Sequence, residues 1–205
     1  MRYNMELVLI VLLGYIVGAV PFALVIGKMF YHTDIRNHGS GNVGGANAGR
    51  VLGGKAGVAV MALDLLKVTL VVVLANCISS HSWAIALGAM GAAIGHCHSV
   101  FARFKGGKAV ATLYGFLLGL WIVGEASIWI FLVPMIVYIP VLYFSKITAV
   151  AGSISATAAI VYVICAKEPL PIVIATGVIV LLLLVRHREN YRRIIKGTEN
   201  KIHWL

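Results

Sequence analysis

Most of the basic side chains in this chain fall in three short stretches, each with the makings of an anion-binding loop. The first runs Arg36-Asn37-His38-Gly39-Ser40-Gly41-Asn42-Val43-Gly44-Gly45-Ala46-Asn47-Ala48-Gly49-Arg50, then Gly53-Gly54-Lys55. Gly39-x-Gly41-x-x-Gly44 imitates a dinucleotide fingerprint, but an apolar helix precedes it where a strand is required. Gly49-x4-Gly54-Lys55 imitates a P-loop, but Ala56 stands where a Ser or Thr should ligate Mg²⁺. What remains is the physics beneath both patterns. Glycines let backbone N–H groups approach an anion, and Ser40, Asn42, Asn47 and Arg50 can add donors. A flexible linker is the plainer alternative.

The second stretch is His96-Cys97-His98-Ser99-Val100-Phe101-Ala102-Arg103-Phe104-Lys105-Gly106-Gly107-Lys108. Lys105-Gly106-Gly107-Lys108 opens an apolar segment, so a helix N-terminus would add partial positive charge to two lysines. The same residues could simply anchor a helix at a membrane surface. His96 and His98 have no third ligand nearby, which disfavours a metal; a general base, a phosphate contact or a structural histidine stay open. The third stretch runs from Arg186-His187-Arg188-Glu189-Asn190 through Glu199 to His203. It reads as a basic interfacial tail, or as a third wall of one site, because the i, i+3 spacing predicts His187 and Asn190 on one helical face. Asp64 and Lys67 also stand at i, i+3, within an apolar run. Intramembrane charges should pair and face the interior, so a structural ion pair comes first and a substrate contact by Lys67 second.

The elements that must position these residues follow from composition. The chain has 205 residues, 60% hydrophobic and 12% charged, with mean hydropathy +0.95. A soluble domain would need far more surface charge, and the apolar residues run in blocks long enough to span a bilayer. Seven spans are predicted, at 5–30, 56–78, 83–98, 109–123, 126–144, 147–165 and 169–186: an all-α polytopic membrane protein. The first is too long for a signal-peptide core and is read as a retained helix. Gly14-x3-Gly18, Gly91-x3-Gly95 and Gly115-x3-Gly119 suit close helix packing. Alternate loops differ sharply in charge: 14 Lys and Arg fall on one side, Arg2 and Lys167 on the other, and Lys67 lies within a span. That bias predicts the N-terminus outside and the C-terminus in the cytoplasm, with all three polar stretches inside. The net charge of +10 then reports orientation and anionic partners, membrane lipids among them, rather than nucleic acid. Cys77, Cys97 and Cys165 lack metal spacing and read as buried thiols.

The three stretches together resemble the acyl-phosphate:glycerol-3-phosphate acyltransferase family of bacterial integral-membrane enzymes. The likeness rests on Gly39-Ser40-Gly41-Asn42-Val43-Gly44 with Asn47 and Arg50, on Phe104-Lys-Gly-Gly-Lys108 with Val110-Ala-Thr112, and on Arg186-His-Arg-Glu-Asn190 with Gly197-Thr-Glu199. Asp64-x-x-Lys67 fits as well. The resemblance implies a seven-helix fold in the cell inner membrane, with the site on the cytoplasmic face. It implies acyl transfer from an acyl-phosphate to the sn-1 hydroxyl of glycerol 3-phosphate, without a cofactor or metal. Under it, Ser40, Asn42 and Arg50 bind phosphate and the oxyanion. Lys105, Lys108 and the amides of Gly106 and Gly107 hold the other phosphate, and His187 and Asn190 orient the hydroxyl or bind its phosphate. Gly39, Gly41, Gly44, Asn47, His96, Lys67 and Glu199 complete the expected substrate-binding set, in one domain over 1–205. No histidine here has Asp five positions on, which argues against the His-x4-Asp dyad of other acyltransferases. The chain departs from the family at Ala46 (usually Thr), Val68 (Gly), Ser99 (Pro), Ala109 (Gly) and Ala149 (Ser). The hydroxyl missing at Ala46 would weaken phosphate binding. An anion transporter, or a non-catalytic lipid-binding relative, are the competing readings.

Overall fold

The structure, a computed structural model, describes the backbone of residues 2–202 and the side chains of residues 5–202. His203, at the end of the third stretch, and the side chain of Arg2, used in the charge count, lie outside the described residues. The described residues form ten α-helices: α1 Arg2–Gly18, α2 Phe22–Tyr31, α3 Gly45–Leu52, α4 Gly54–Ile78, α5 Ser82–Cys97, α6 Val110–Ile122, α7 Trp129–Ser145, α8 Thr148–Cys165, α9 Leu170–Arg186 and α10 Arg188–Ile195. Four stretches are long and apolar enough to cross a membrane: Met5–Tyr31, Gly54–Ile78, Ser82–Ala102 and Thr148–Cys165. A fifth arises if α9 and α10 count together across their 47° bend, and α6 and α7 are shorter apolar helices.

The small-residue repeats work as spacing predicts. A Cβ at Gly14 would lie 2.3 Å from the Gly88 carbonyl oxygen, and one at Gly95 would lie 2.2 Å from that of Tyr15. α1 and α5 therefore meet backbone to backbone. In α6, Gly115 does the same against α4, where a Cβ would lie 2.2 Å from the Leu65 carbonyl oxygen, while Gly119 makes room for the Val72 side chain. Val68, fully buried, fills the space beside Gly115 where the family usually has glycine.

The predicted span 5–30 stands as the apolar stretch Met5–Tyr31, with its helix interrupted inside it. Pro21 has no N–H to give, so the helix stops at Gly18 and restarts at Phe22. The break frees carbonyls inside the protein, and two distant side chains satisfy them. Lys67 Nζ donates to the Val20 oxygen at 2.8 Å, and Ser99 Oγ donates to the Ala19 oxygen at 2.5 Å. Proline at position 99 could not make that bond. Ser99→Ala leaves the Ala19 oxygen buried without that donor, which costs about 1–3 kcal/mol. A melting temperature equal to wild type in the same detergent would contradict it.

The glycine-rich first stretch also contains a helix, α3, where the sequence suggests only loop. His187 leaves helical geometry at φ −91° and ψ 0° and caps the start of α10, with Asn190 three residues on in that helix and both side chains buried. Of the three thiols Cys97 is buried, while Cys77 and Cys165 lie on the outer surface of the helix bundle.

Candidate active site

The first loop is braced from within. Asp34 caps the turn Ile35–Asn37 by accepting from the Arg36 N–H, and its carboxylate pairs with the Arg36 guanidinium at 2.5 Å. Those bonds hold the Asp34 carboxyl down at about 2. Asn47 reaches back from α3. Its Oδ1 accepts from the Ser40 N–H at 2.8 Å, and its Nδ2 donates to the oxygens of Ile35 and His38. Gly39 has φ +58°, and a Cβ there would lie 2.4 Å from Asn47 Oδ1. Asn47 is therefore a loop brace rather than the phosphate ligand its position suggests. Ser40 and Asn42, on the far side of the same loop, are left facing a cavity.

The diglycine of the second stretch lies against His96. The Gly107 N–H donates to the His96 carbonyl oxygen at 3.0 Å, and a Cβ at Gly107 would lie 2.0 Å from His96 Nε2. That amide is thus committed, and it is not a free phosphate donor. His96 is buried, with Nδ1 3.2 Å from Lys67 Nζ, and Lys67 bonds Asp64 Oδ1 at 2.7 Å. Lys67 lines neither large cavity, and its bond to Asp64 is the ion pair the spacing predicts. Ala109 caps α6 in the left-handed region at φ +60°, where the family's usual glycine would fit without the roughly 1–2 kcal/mol cost.

The third stretch completes the site. Lys108 Nζ donates to Asn190 Oδ1, and Asn190 Nδ2 donates to Glu199 Oε1 at 2.7 Å. Glu199 Oε2 also pairs with Arg193 Nε at 2.7 Å, and its side chain is 6% exposed. With both oxygens occupied by protein donors, Glu199 fixes Asn190 and is not a substrate ligand. His187 is buried, and its Nδ1 lies 2.9 Å from the Leu183 carbonyl oxygen. A carbonyl only accepts, so Nδ1 carries the proton and Nε2 keeps its lone pair.

Two cavities meet here. One, of about 460 Å³, is mainly cationic: Ser40, Gly41, Asn42, His98, Phe104, Lys105, Gly106, Lys108, Arg186, Arg188 and Arg193 line it, with Glu189 its one acid among the described residues. The other, of about 300 Å³, is mainly apolar, lined by Val58, Met61, Leu65, Val110, Tyr114, Met135 and Tyr138, with Gly44, Asp64, His96 and His187 among its polar lining. Asn42 and Lys108 belong to both linings. Burial, reinforced by the charges of Arg193, Arg186 and Arg50, lowers Lys108 to about 8, against a counter-effect from Glu199. Arg50 itself lines neither cavity and acts on Lys108 through its field. Ala46 lines the apolar groove, so its missing hydroxyl falls on that side and not in the cationic cavity. Sequence reasoning gave no site role to Arg186, Arg193, Met61, Tyr114 or Tyr138. The two arginines look like ordinary basic anchors, and apolar residues on apolar helices carry no signal. Among the described residues no group of His, Cys, Asp and Glu is placed to hold a metal.

Residues 8–197 match the Glycerol-3-phosphate acyltransferase family. The chain belongs to that family. It is 42% identical over 195 residues to glycerol-3-phosphate acyltransferase 2 of Bacillus anthracis, covering 95% of this chain and 98% of that one. It is 40% identical to the glycerol-3-phosphate acyltransferase of Geobacillus kaustophilus, covering 96% of each. Crystal structures of PlsY (YgiH), an integral membrane glycerol 3-phosphate acyltransferase, superpose with TM-scores of 0.88 and 0.85. They are its glycerol 3-phosphate and lysophosphatidic acid forms, 31% and 30% identical, each covering 96% of this chain and 96% and 95% of PlsY. This acyltransferase is accordingly an all-helical integral membrane enzyme of phospholipid synthesis. Its relatives share the frame that brings residues 39–42, 105–108 and 187–190 to one place.

Proposed function

We propose that the chain transfers a fatty acyl group from an acyl-phosphate to the sn-1 hydroxyl of glycerol 3-phosphate, giving lysophosphatidic acid and inorganic phosphate. The observation that carries this is the shared lining of the two cavities. A phosphate-accepting cavity opens beside a lipid-like groove, and Lys108 and Asn42 stand at the join. The solved relative's glycerol 3-phosphate and lysophosphatidic acid forms support the acceptor and the product.

In this reading the acyl chain lies in the apolar groove and its carbonyl sits near Lys108. The acceptor hydroxyl oxygen attacks the carbonyl carbon. The new ester C–O bond forms, the C–O bond to phosphate breaks, and phosphate leaves with the electron pair; the hydroxyl proton ends on it in the net reaction, giving hydrogen phosphate. The acid anhydride is already activated, so no acyl-enzyme is needed, and positioning with electrostatic stabilisation supplies the acceleration. Ser40 and Asn42 take one phosphate and the developing oxyanion. Lys105 and Lys108 take the other phosphate, and Arg50 adds its field. His187 Nε2 orients the attacking hydroxyl, and Asn190 holds Lys108 in place. We place the protein as one domain over 1–205 in the bacterial inner membrane. It crosses seven times, with the N-terminus outside and the C-terminus and site cytoplasmic, supported by the charge bias between alternate loops.

The test uses the purified protein in detergent with labelled glycerol 3-phosphate and either palmitoyl-phosphate or palmitoyl-CoA. Labelled lysophosphatidic acid is expected from palmitoyl-phosphate alone. Product from palmitoyl-CoA at a comparable rate would contradict the donor assignment.

A further inference from the structure

We propose that Arg186 is a positioning residue that clamps the diglycine between Lys105 and Lys108, and so sets where both lysines stand. The proposal rests on the two-cavity reading of the site, but its geometry is separate from any substrate. Arg186 is the last residue of α9. Its Nε donates to the Gly107 oxygen at 3.2 Å and its Nη2 donates to the Gly106 oxygen at 3.0 Å, across about 80 residues of chain. On the opposite side the Gly107 N–H donates to the His96 oxygen. The oxygen and N–H of a trans peptide point in opposite directions. The peptide between Gly106 and Gly107 is therefore held at both ends, by Arg186 and by the His96 carbonyl.

Such a clamp answers a need that the sequence creates. Two consecutive glycines are required because His96 packs directly on them. Glycine is also the residue with the most backbone freedom, so an unclamped diglycine would leave the flanking lysines poorly placed. A guanidinium suits the task because its planar fork presents paired N–H groups to two neighbouring carbonyls, which an ammonium cannot match. Two of the five N–H groups of Arg186 are committed this way. The clamp also keeps a positive charge beside Lys108 at the wall of the cationic cavity.

Hydrogen exchange on the purified full chain, without substrate, reads the clamp directly, and inorganic phosphate titration reads its consequence. In Arg186→Gln, the amides of residues 105–109 should exchange at least tenfold faster, while the amides of α4 and α5 keep wild-type protection. Phosphate should bind about tenfold more weakly, and Arg186→Lys should restore part of both. If Gln at 186 prevents folding, Arg186→Lys alone must show faster exchange at 105–109. Unchanged loop exchange with weakened phosphate binding would make Arg186 a direct phosphate ligand and overturn the clamp, as would no change in either readout. Failure of the acyltransferase reading would show separately, as a wild-type protein that makes no lysophosphatidic acid.

Discussion

Replacing Lys108 by methionine is expected to lower kcat/KM for acyl transfer by about a hundredfold to a thousandfold, the usual effect of losing one preorganised donor at a developing charge. Methionine keeps the length and apolar stem of lysine, so packing beside Val110 and Asn190 is largely retained. What disappears is the one lysine or arginine among the described residues that lines both cavities. The charge itself is titratable. Lys108 sits at about 8 because burial and neighbouring arginines disfavour its protonated form. Anion binding needs that form, so in the free enzyme kcat/KM should fall as pH rises through about 8. On the acid side it should fall below pH about 6, where the phosphate of glycerol 3-phosphate takes up a proton. Lys108→Arg carries a charge that does not titrate in this range, so its alkaline limb should move well above pH 9 even if its rate is lower. An alkaline limb unmoved in Lys108→Arg would assign that titration to another group.

The largest effect on stability is expected at Lys67. It is buried within α4, bonded to Asp64 Oδ1 at 2.7 Å and to the Val20 oxygen at the helix break, with His96 Nδ1 3.2 Å away. Lys67→Met leaves the Asp64 carboxylate buried without its partner, a change that typically costs about 3–5 kcal/mol. Removing both charges in Asp64→Leu/Lys67→Met should recover much of that loss, because the penalty lies in the unpaired charge. Recovery should be incomplete, since the Val20 oxygen still lacks its donor. A double variant no more stable than Lys67→Met would show that the ion pair is not the source of the effect. Thermal unfolding in one detergent at fixed pH distinguishes these outcomes.

These expectations differ in how far they could be read from sequence. The helical membrane class was legible because apolar runs of spanning length have few soluble explanations. The three polar stretches were legible because glycine beside Lys, Arg, Ser and Asn is rare in such a chain, and the structure brings all three together. The internal assignments were less visible. Asn47 and Glu199 look like ligands by type, and only three-dimensional partners reveal that their polar atoms are already used by the loop and by Asn190. Arg186 looks like an interfacial anchor until its bonds to Gly106 and Gly107 appear. The groove of Met61, Tyr114 and Tyr138 draws on three helices, and no local pattern marks an apolar residue that faces a cavity instead of lipid. Nothing in the sequence marks that Lys67 and Ser99 satisfy the carbonyls freed beside Pro21. Ser99 shows the reverse lesson: a departure from the family that looks like lost function is a local structural solution.

The most direct measurement is equilibrium binding of each substrate alone, glycerol 3-phosphate and palmitoyl-phosphate in separate titrations, to wild type and to Lys108→Met. One lysine at the join of two cavities should serve both, so both affinities are predicted to weaken by at least tenfold, about 1.4 kcal/mol each. Weakening of only one, with the other unchanged, would contradict a shared cation and place the two substrates on separate lysines.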